Sequence, residues 1–424
     1  MQEDFLHYVW KYLKFDVLRA TTVQHEALDV VLVGQHNTNS GPDFFNAQIK
    51  IGKQLWAGNV EIHVKSSDWF VHNHEQDKAY DNVILHVVWE HDTEIFRKDN
   101  TVIPTLELES LVHKSVLSNY QKLFRESNKW INCESDFPQV DSFVIDHWLE
   151  RLYFERLERK SETILKLLKA SNNDWELVLF QLLAKNFGLK VNGDAFFSLA
   201  QSFPFSIVRK VQSNINHLEA LFFGQSGLLD DEVQAPYFLR LTKEYQFLKQ
   251  KFQLDNSHVV PVKFFRLRPP NFPTIRLSQL ASLYHLHHNL FSKLIEIEDL
   301  EGYYSLFKVS TTKFWESHYS FNSASKTSKK VLTKPFIDLL LINTIIPIKF
   351  SYAKSLGKDI DEIIVNLVQG LSSEKNSIVE KFDSLKPISK SALESQALLQ
   401  LKSEYCDKNK CLQCVIGNTL LLRN

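Results

Sequence analysis

The chain has 424 residues, more than one ordinary hydrophobic core accommodates, which predicts two or three domains. Hydrophobic residues make up 44% and charged residues 23%, with only 12 glycines and 12 prolines, and this composition excludes an extended disordered or low-complexity protein. The net charge of −1 excludes an overall basic field as the basis for nucleic-acid binding and leaves a local basic groove as the remaining route.

Neither a secretory signal nor a membrane span is predicted. Residues 1–5 are acidic and lack the basic and apolar regions of a signal peptide. The longest apolar stretch, 336–348, is interrupted by Asp338, Asn343 and Pro347, and it is shorter than the roughly 18 uninterrupted apolar residues of a membrane helix. We therefore expect a cytoplasmic protein with no membrane partner, and the sequence leaves its oligomeric state open.

The first part of the chain changes from helical to strand periodicity. Residues 4–13 repeat apolar side chains at three- and four-residue spacing, which predicts an amphipathic helix. The β-branched run 28–33 and the alternating runs 47–51 and 60–64 predict three successive strands. We expect these strands to form a β-meander, with Gly58-Asn59 as the turn between the second and the third.

The residues that follow complete a mixed domain. The polar segment 73–81 is compatible with a helix, the nearly continuous apolar run 83–89 predicts a central strand, and 103–108 predicts another. We therefore predict a mixed α+β or α/β domain over residues 1–125, in which helices flank the meander.

Helical periodicity dominates from about residue 146 to about residue 255. The proline-rich segment 266–273 is incompatible with a helix and separates two groups of helices. We predict a mainly α-helical region over 126–424, with two subdomains divided near 256–276.

Acidic and basic side chains accompany the second and third predicted strands. Asp43 precedes the second strand, and Glu61, His63 and Lys65 alternate with apolar residues in the third, so they share one face. A hairpin can bring Asp43 and Glu61 together, and two carboxylates suit Mg²⁺ or Mn²⁺ in phosphodiester hydrolysis. Alternating polar residues are equally typical of the solvent face of an antiparallel sheet.

These residues resemble the PD-(D/E)xK nuclease superfamily over residues 1–110. The shared features are a helix, a β-meander carrying Pro42-Asp43, the string Glu61-Ile62-His63, another helix and a strand. The resemblance implies that Asp43 and Glu61 bind a metal and that the residue two positions after the glutamate assists the nucleophile. The superfamily has lysine there and this chain has His63. Two alternatives follow: a catalytic site in which His63 positions water and Lys65 contacts phosphate, or a degenerate site that only binds.

A longer set of motifs resembles the bacterial family called domain of unknown function 2851, across nearly the whole chain. It comprises residues 41–44, 58–64 and Asp68-Trp69, together with His72 and His74. The family has no established activity, so this resemblance implies one coherent protein rather than a particular reaction.

Two histidines in a polar turn suggest a second enzymatic alternative. His72 and His74, with Asp77 and His86, offer imidazole and carboxylate ligands for Zn²⁺ and would suit a zinc-dependent hydrolase. Such a turn is also typical of an exposed or substrate-contacting loop, so His72 and His74 are candidate substrate-binding residues as well.

The chain has four cysteines, at positions 133, 406, 411 and 414. The spacing Cys406-x₄-Cys411-x₂-Cys414 is typical of a metal site, and Cys133 could complete a set of four through tertiary contact. One upstream and three C-terminal cysteines resemble the iron–sulfur branch of the same nuclease superfamily, with a different spacing. Zinc, an iron–sulfur cluster and reduced thiols without metal remain open.

Arg266, Arg268 and Arg276 flank the proline-rich segment and could bind phosphates, although surface salt bridges explain them equally. The leading hypothesis is a metal-dependent nuclease that acts on DNA or RNA. The alternative from another class is a non-catalytic nucleic-acid-binding or scaffold protein with a degenerate nuclease fold.

Overall fold

The computed structural model describes residues 2–124 and 129–423. It contains a small mixed sheet near the N-terminus and a mostly helical remainder, which confirms the predicted combination of a mixed α+β part and a helical part. The predicted domain boundary at residues 125 and 126 lies outside the described residues.

The chain divides into two compact units. The first comprises Met1–Trp148 and Leu401–Asn424, and the second comprises Leu149–Gln400. The prediction assigned everything after residue 125 to the helical region, whereas in the structure the last segment belongs to the first unit. Its side chains Leu412 and Leu421 are part of that unit's hydrophobic core.

The sheet of the first unit has six strands, which are β1 (Leu28–Leu32), β2 (Gln35–His36), β3 (Phe44–Ile51), β4 (Gln54–Lys65), β5 (Val83–Glu90) and β6 (Thr105–Glu107). The order is β1-β3-β4-β5-β6, and β2 pairs with β3. β1, β3 and β4 are antiparallel neighbours, as the predicted meander requires, and β5 and β6 continue the sheet in parallel. β4 and β5 are therefore inner strands.

Helices surround this sheet and form nearly all of the second unit. Their bounds are α1 (Glu3–Lys11), α2 (Asp68–Val71), α3 (Lys114–Phe124), α4 (Ser142–Ala170), α5 (Trp175–Phe187), α6 (Leu189–Gln201), α7 (Phe205–Val211), α8 (Ile215–Gln225), α9 (Pro236–Phe252), α10 (Pro273–Leu286), α11 (Leu290–Glu296), α12 (Leu300–Leu306), α13 (Lys313–Glu316), α14 (Lys334–Leu340), α15 (Ile346–Ser355), α16 (Asp361–Gln369), α17 (Ser377–Leu385), α18 (Ala392–Gln400) and α19 (Val415–Leu421). The second unit also contains a two-stranded hairpin, β7 (His318–Ser320) and β8 (Ser323–Ala324). The predicted helix over 73–81 is replaced by turns and a short 3₁₀ helix, Lys78–Tyr80.

One helical stretch, Lys334–Ser355, is long and apolar enough to cross a membrane by length and composition alone. Most of it, 78%, is buried inside the fold. Core helices of soluble proteins have the same properties, so this stretch is only a weak indication of a membrane span.

Both faces of the inner strands are covered. On one face Val60 and Ile62 of β4 join the main core, which includes Phe5 and Val9 of α1. On the other side a second, smaller core forms around Trp69 of α2. Residues 58–63 are consequently all buried, including the polar ones.

The turn between β3 and β4 lies at Gly52-Lys53, six residues before the predicted one. Gly52 has a φ of +59°, a left-handed conformation that suits a two-residue hairpin turn. Gly58 instead lies within β4, opposite Ala47. A Cβ atom on Gly58 would lie 2.4 Å from Ile84 Cγ2, so glycine is needed there for close packing rather than for a turn.

We expect Gly58→Ala to destabilise the protein by about 1–3 kcal/mol, because the added methyl group overpacks the contact between β4 and β5. Urea unfolding followed by fluorescence would measure the change. Ala57→Ser, at the exposed neighbouring position, is the control and should leave the unfolding midpoint nearly unchanged. Equal midpoints for Gly58→Ala and the unmodified protein would contradict the close packing.

Candidate metal centre

The two predicted carboxylates lie on adjacent segments of the sheet. Asp43 precedes β3, and Glu61 is in β4. The backbone N–H of Asp43 donates to Glu61 Oε2 (3.1 Å), and the backbone N–H of Ile62 donates to Asp43 Oδ2 (3.0 Å). Each carboxylate therefore accepts a hydrogen bond from the backbone at or next to the other acidic residue. The second oxygen of Glu61, Oε1, contacts other side chains.

Those partners are imidazoles. Glu61 Oε1 lies 3.5 Å from His63 Nε2 and 3.3 Å from His74 Nε2. His63 Nε2 lies 3.1 Å from His72 Nδ1. One ligand atom from each of His63, His72 and His74 lies within 4.8 Å of the other two. Three imidazoles thus converge on one region, and Glu61 Oε1 lies beside two of them.

The three imidazole atoms are close enough to one another to be ligands of a single ion. In a tetrahedral site with metal–nitrogen distances of about 2.0–2.1 Å, neighbouring ligand atoms lie about 3.3 Å apart. The three distances above range from 3.1 to 3.5 Å. Imidazole nitrogens with one carboxylate oxygen are a donor set for zinc and other transition metals rather than for Mg²⁺.

A second layer of side chains holds the imidazoles in place. The fully buried His86 of β5 places Nε2 2.8 Å from His63 Nδ1, which leaves His63 Nε2 facing the cluster. Tyr80 stacks on His74 with ring centroids 3.8 Å apart, and Trp69 packs edge-on against the same imidazole. Such contacts fix the orientation of the rings, as outer-shell partners do in metal sites.

Burial determines the protonation of these groups. Burial, followed by the charges of His74 and His72, lowers the pKa of His63 to about 3, and burial also lowers the pKa of His74. These two imidazoles are therefore neutral at pH 7, the form that binds metals. Burial, followed by the Asp43 charge, raises the pKa of Glu61 to about 9, so that its carboxyl is protonated at pH 7 unless a cation replaces the proton.

A family model described as a protein of unknown function, DUF2851, matches residues 3–377. The chain belongs to this family. The matched range contains the whole histidine cluster and Cys133, and it ends before Cys406. Comparisons with curated proteins and with solved structures each found no match.

Two other candidate residues of this DUF2851 protein lie outside the cluster. Lys65, at the exposed end of β4, pairs with Glu90 at 3.2 Å. Asp77 accepts a hydrogen bond from the backbone of Ala79 and caps the 3₁₀ helix. The structure therefore brings together Asp43, Glu61 and the histidines, and it directs Lys65 to a different carboxylate.

Sequence reasoning missed His7 and Tyr80. His7 of α1 forms an ion pair with Asp43 at 3.2 Å. Burial alone would lower the pKa of His7, but the Asp43 carboxylate beside it raises the pKa overall. The spacing of Glu3 and His7, four residues apart on one helical face, was the available signal. Tyr80 had no signal, because its contact with His74 depends on an irregular turn.

The three candidate arginines all lie in the second unit. Arg266 and Arg268 are exposed. Arg276 is buried, donates to Asn271 Oδ1 and Gln279 Oε1, and lies 3.5 Å above the Phe336 ring. Burial lowers the pKa of Arg276 to about 10. Arg276 therefore has a packing role, and only Arg266 and Arg268 remain available to a phosphate.

The four cysteines all lie in the first unit and line one cavity. Burial is the main reason that the pKa of each thiol is raised, to about 11 for Cys414. The charges of neighbouring cysteines raise the pKa values of Cys133, Cys406 and Cys414 further. A hydrogen bond from Asn132 acts in the opposite direction on the pKa of Cys411.

We expect His72→Ala and His74→Ala each to weaken metal binding by about 100-fold or more, because each change removes an imidazole donor. Titration of metal-free protein with Zn²⁺ and Mn²⁺ would measure the affinity. The metal should raise the thermal unfolding temperature of the unmodified protein and not that of the variants.

His113→Ala is the matched control for this prediction. His113 is an exposed histidine just before α3, outside the cluster, and its replacement should leave metal affinity unchanged. Since His72 is also exposed, His72→Ala should fold normally. Equal affinities of His72→Ala, His74→Ala and the unmodified protein would exclude these residues as ligands.

Proposed function

We propose that this protein is a metal-dependent hydrolase that cleaves phosphodiester bonds in nucleic acid. The observation that carries the proposal is the convergence of one ligand atom each from His63, His72 and His74, with Glu61 Oε1 beside two of these imidazoles. A bound divalent ion would supply Lewis-acid stabilisation of the phosphoryl charge and a water of lowered pKa.

The residues of the cluster have separable roles. His63 and His74 are neutral and could each offer a nitrogen lone pair to a metal ion, and His86 fixes the ring of His63. Glu61 would lose its proton if a cation were bound beside it. His72 is the exposed member of the cluster, so solvent and substrate would approach from its side. His7 and Asp43 attach α1 to the strand that carries Glu61.

The choice of a phosphodiester substrate rests on the order of the elements. α1, the antiparallel strands β1, β3 and β4, then α2 and the parallel strand β5 follow one another in the order expected of the nuclease superfamily. Asp43 directly precedes β3 and Glu61 lies in β4, and the resemblance assigns metal binding to these two carboxylates. The ligand set departs from that pattern, since His63 occupies the lysine position and Lys65 is paired with Glu90. We therefore favour a histidine-bound transition metal over Mg²⁺.

The test is cleavage of single- and double-stranded DNA and RNA by metal-free protein after addition of Zn²⁺, Mn²⁺ or Mg²⁺. Cleavage should require Zn²⁺ or Mn²⁺ and should stop on chelation. Glu61→Gln removes the carboxylate charge and keeps the size of the side chain, so activity should fall by about 100-fold or more.

Glu90→Gln makes the same chemical change on the neighbouring strand, at an exposed carboxylate outside the cluster, and should retain nearly full activity. Equal losses in Glu61→Gln and Glu90→Gln would contradict the site assignment. Tight nucleic-acid binding without cleavage under any metal would favour the non-catalytic binding protein instead.

A further inference from the structure

All four cysteines of the chain meet at one place in the first unit. Cys133 lies in the turns that precede α4. Cys406 ends the π-helical segment Leu401–Cys406, Cys411 begins the 3₁₀ helix Cys411–Gln413, and Cys414 immediately precedes α19. The four residues line a single cavity although Cys133 is separated from the others by the entire second unit.

Two simpler explanations fit the thiols less well. None of the four forms a disulfide. A single zinc ion, with Zn–S distances of about 2.3 Å, keeps any two of its sulfur ligands within about 4.6 Å of each other. Among the described residues, only the histidine cluster has three ligand atoms within 4.8 Å of one another, which favours a group larger than one zinc ion at the cysteines.

The surroundings of the sulfurs suit a buried cluster. The remaining wall is largely apolar and includes Ile131, Phe137, Leu401 and Ile416. Asn132 Nδ2 donates to Cys411 Sγ at 3.4 Å. Exclusion of water and hydrogen bonds to the ligand sulfurs are the means by which proteins stabilise and tune iron–sulfur clusters.

We propose that Cys133, Cys406, Cys411 and Cys414 bind an iron–sulfur cluster. Four cysteine thiolates are the usual ligands of such clusters, which spread their sulfur ligands further apart than a single ion does. Each thiol loses its proton on binding iron. The cluster would join the turn at Cys133 to the C-terminal segment, and it is independent of the proposed hydrolase activity.

The experiment uses the full chain purified without oxygen, and it measures iron, acid-labile sulfide, zinc and visible absorption. The unmodified protein should contain iron and sulfide and absorb visible light. Cys133 precedes the second unit in the chain and Cys411 follows it. Cys133→Ser and Cys411→Ser should each lose both the iron and the absorption. Ser135→Ala, at an exposed position in the same turns as Cys133, is the control and should retain them.

One further variant keeps the outcomes distinct. Glu61→Gln should retain full iron and sulfide, which separates this site from the histidine cluster. If a serine variant does not accumulate, the metal content of the unmodified protein decides alone. Zinc without iron and sulfide, no metal at all, or unchanged iron and sulfide in both serine variants would each overturn the proposal.

Discussion

The burial of β4 on both faces governs the chemistry of the histidine cluster. The Glu61 carboxyl group and the His63 imidazole lie where water cannot solvate a charge, which keeps His63 neutral and Glu61 protonated in the absence of a cation. The divalent ion of the proposed function would relieve this conflict, because it would replace the proton on Glu61 and use the lone pairs of the neutral imidazoles. Strand burial would then favour metal binding.

Part of the site could be predicted from strand periodicity alone. Alternation along 60–65 correctly placed Glu61 and His63 on one face, and the preceding hairpin brought Asp43 to Glu61. The burial of that face could not be predicted, since the segment after β4 is polar and suggests a solvent-exposed loop. Trp69 is buried in the smaller core and packs against His74, and it helps to hold the segment that carries His72 and His74 over the strand.

The fold was predictable to a similar extent. Local periodicity is sufficient for the meander, the inner strand over residues 83–90 and the mainly helical region, whereas the parallel direction of that strand was not predicted. Gly58 was misinterpreted because a glycine beside asparagine suggests a turn, whereas its function depends on Ile84 in the next strand. The return of the C-terminal segment was equally inaccessible, because it depends on packing of Leu412 and Leu421 with residues hundreds of positions earlier.

This return has a consequence for how the protein is made. The first unit takes core residues from both sides of the second unit, so its core remains incomplete until translation has passed residue 421. The second unit, by contrast, is continuous and can fold while still attached to the ribosome. The second unit should therefore fold first. The sheet of the first unit remains partly exposed until its contacts with the C-terminal segment form, and these contacts have very high sequence separation. Until those contacts form, the first unit would expose apolar surface and unpaired strand edges, which are the features that make folding intermediates prone to aggregate.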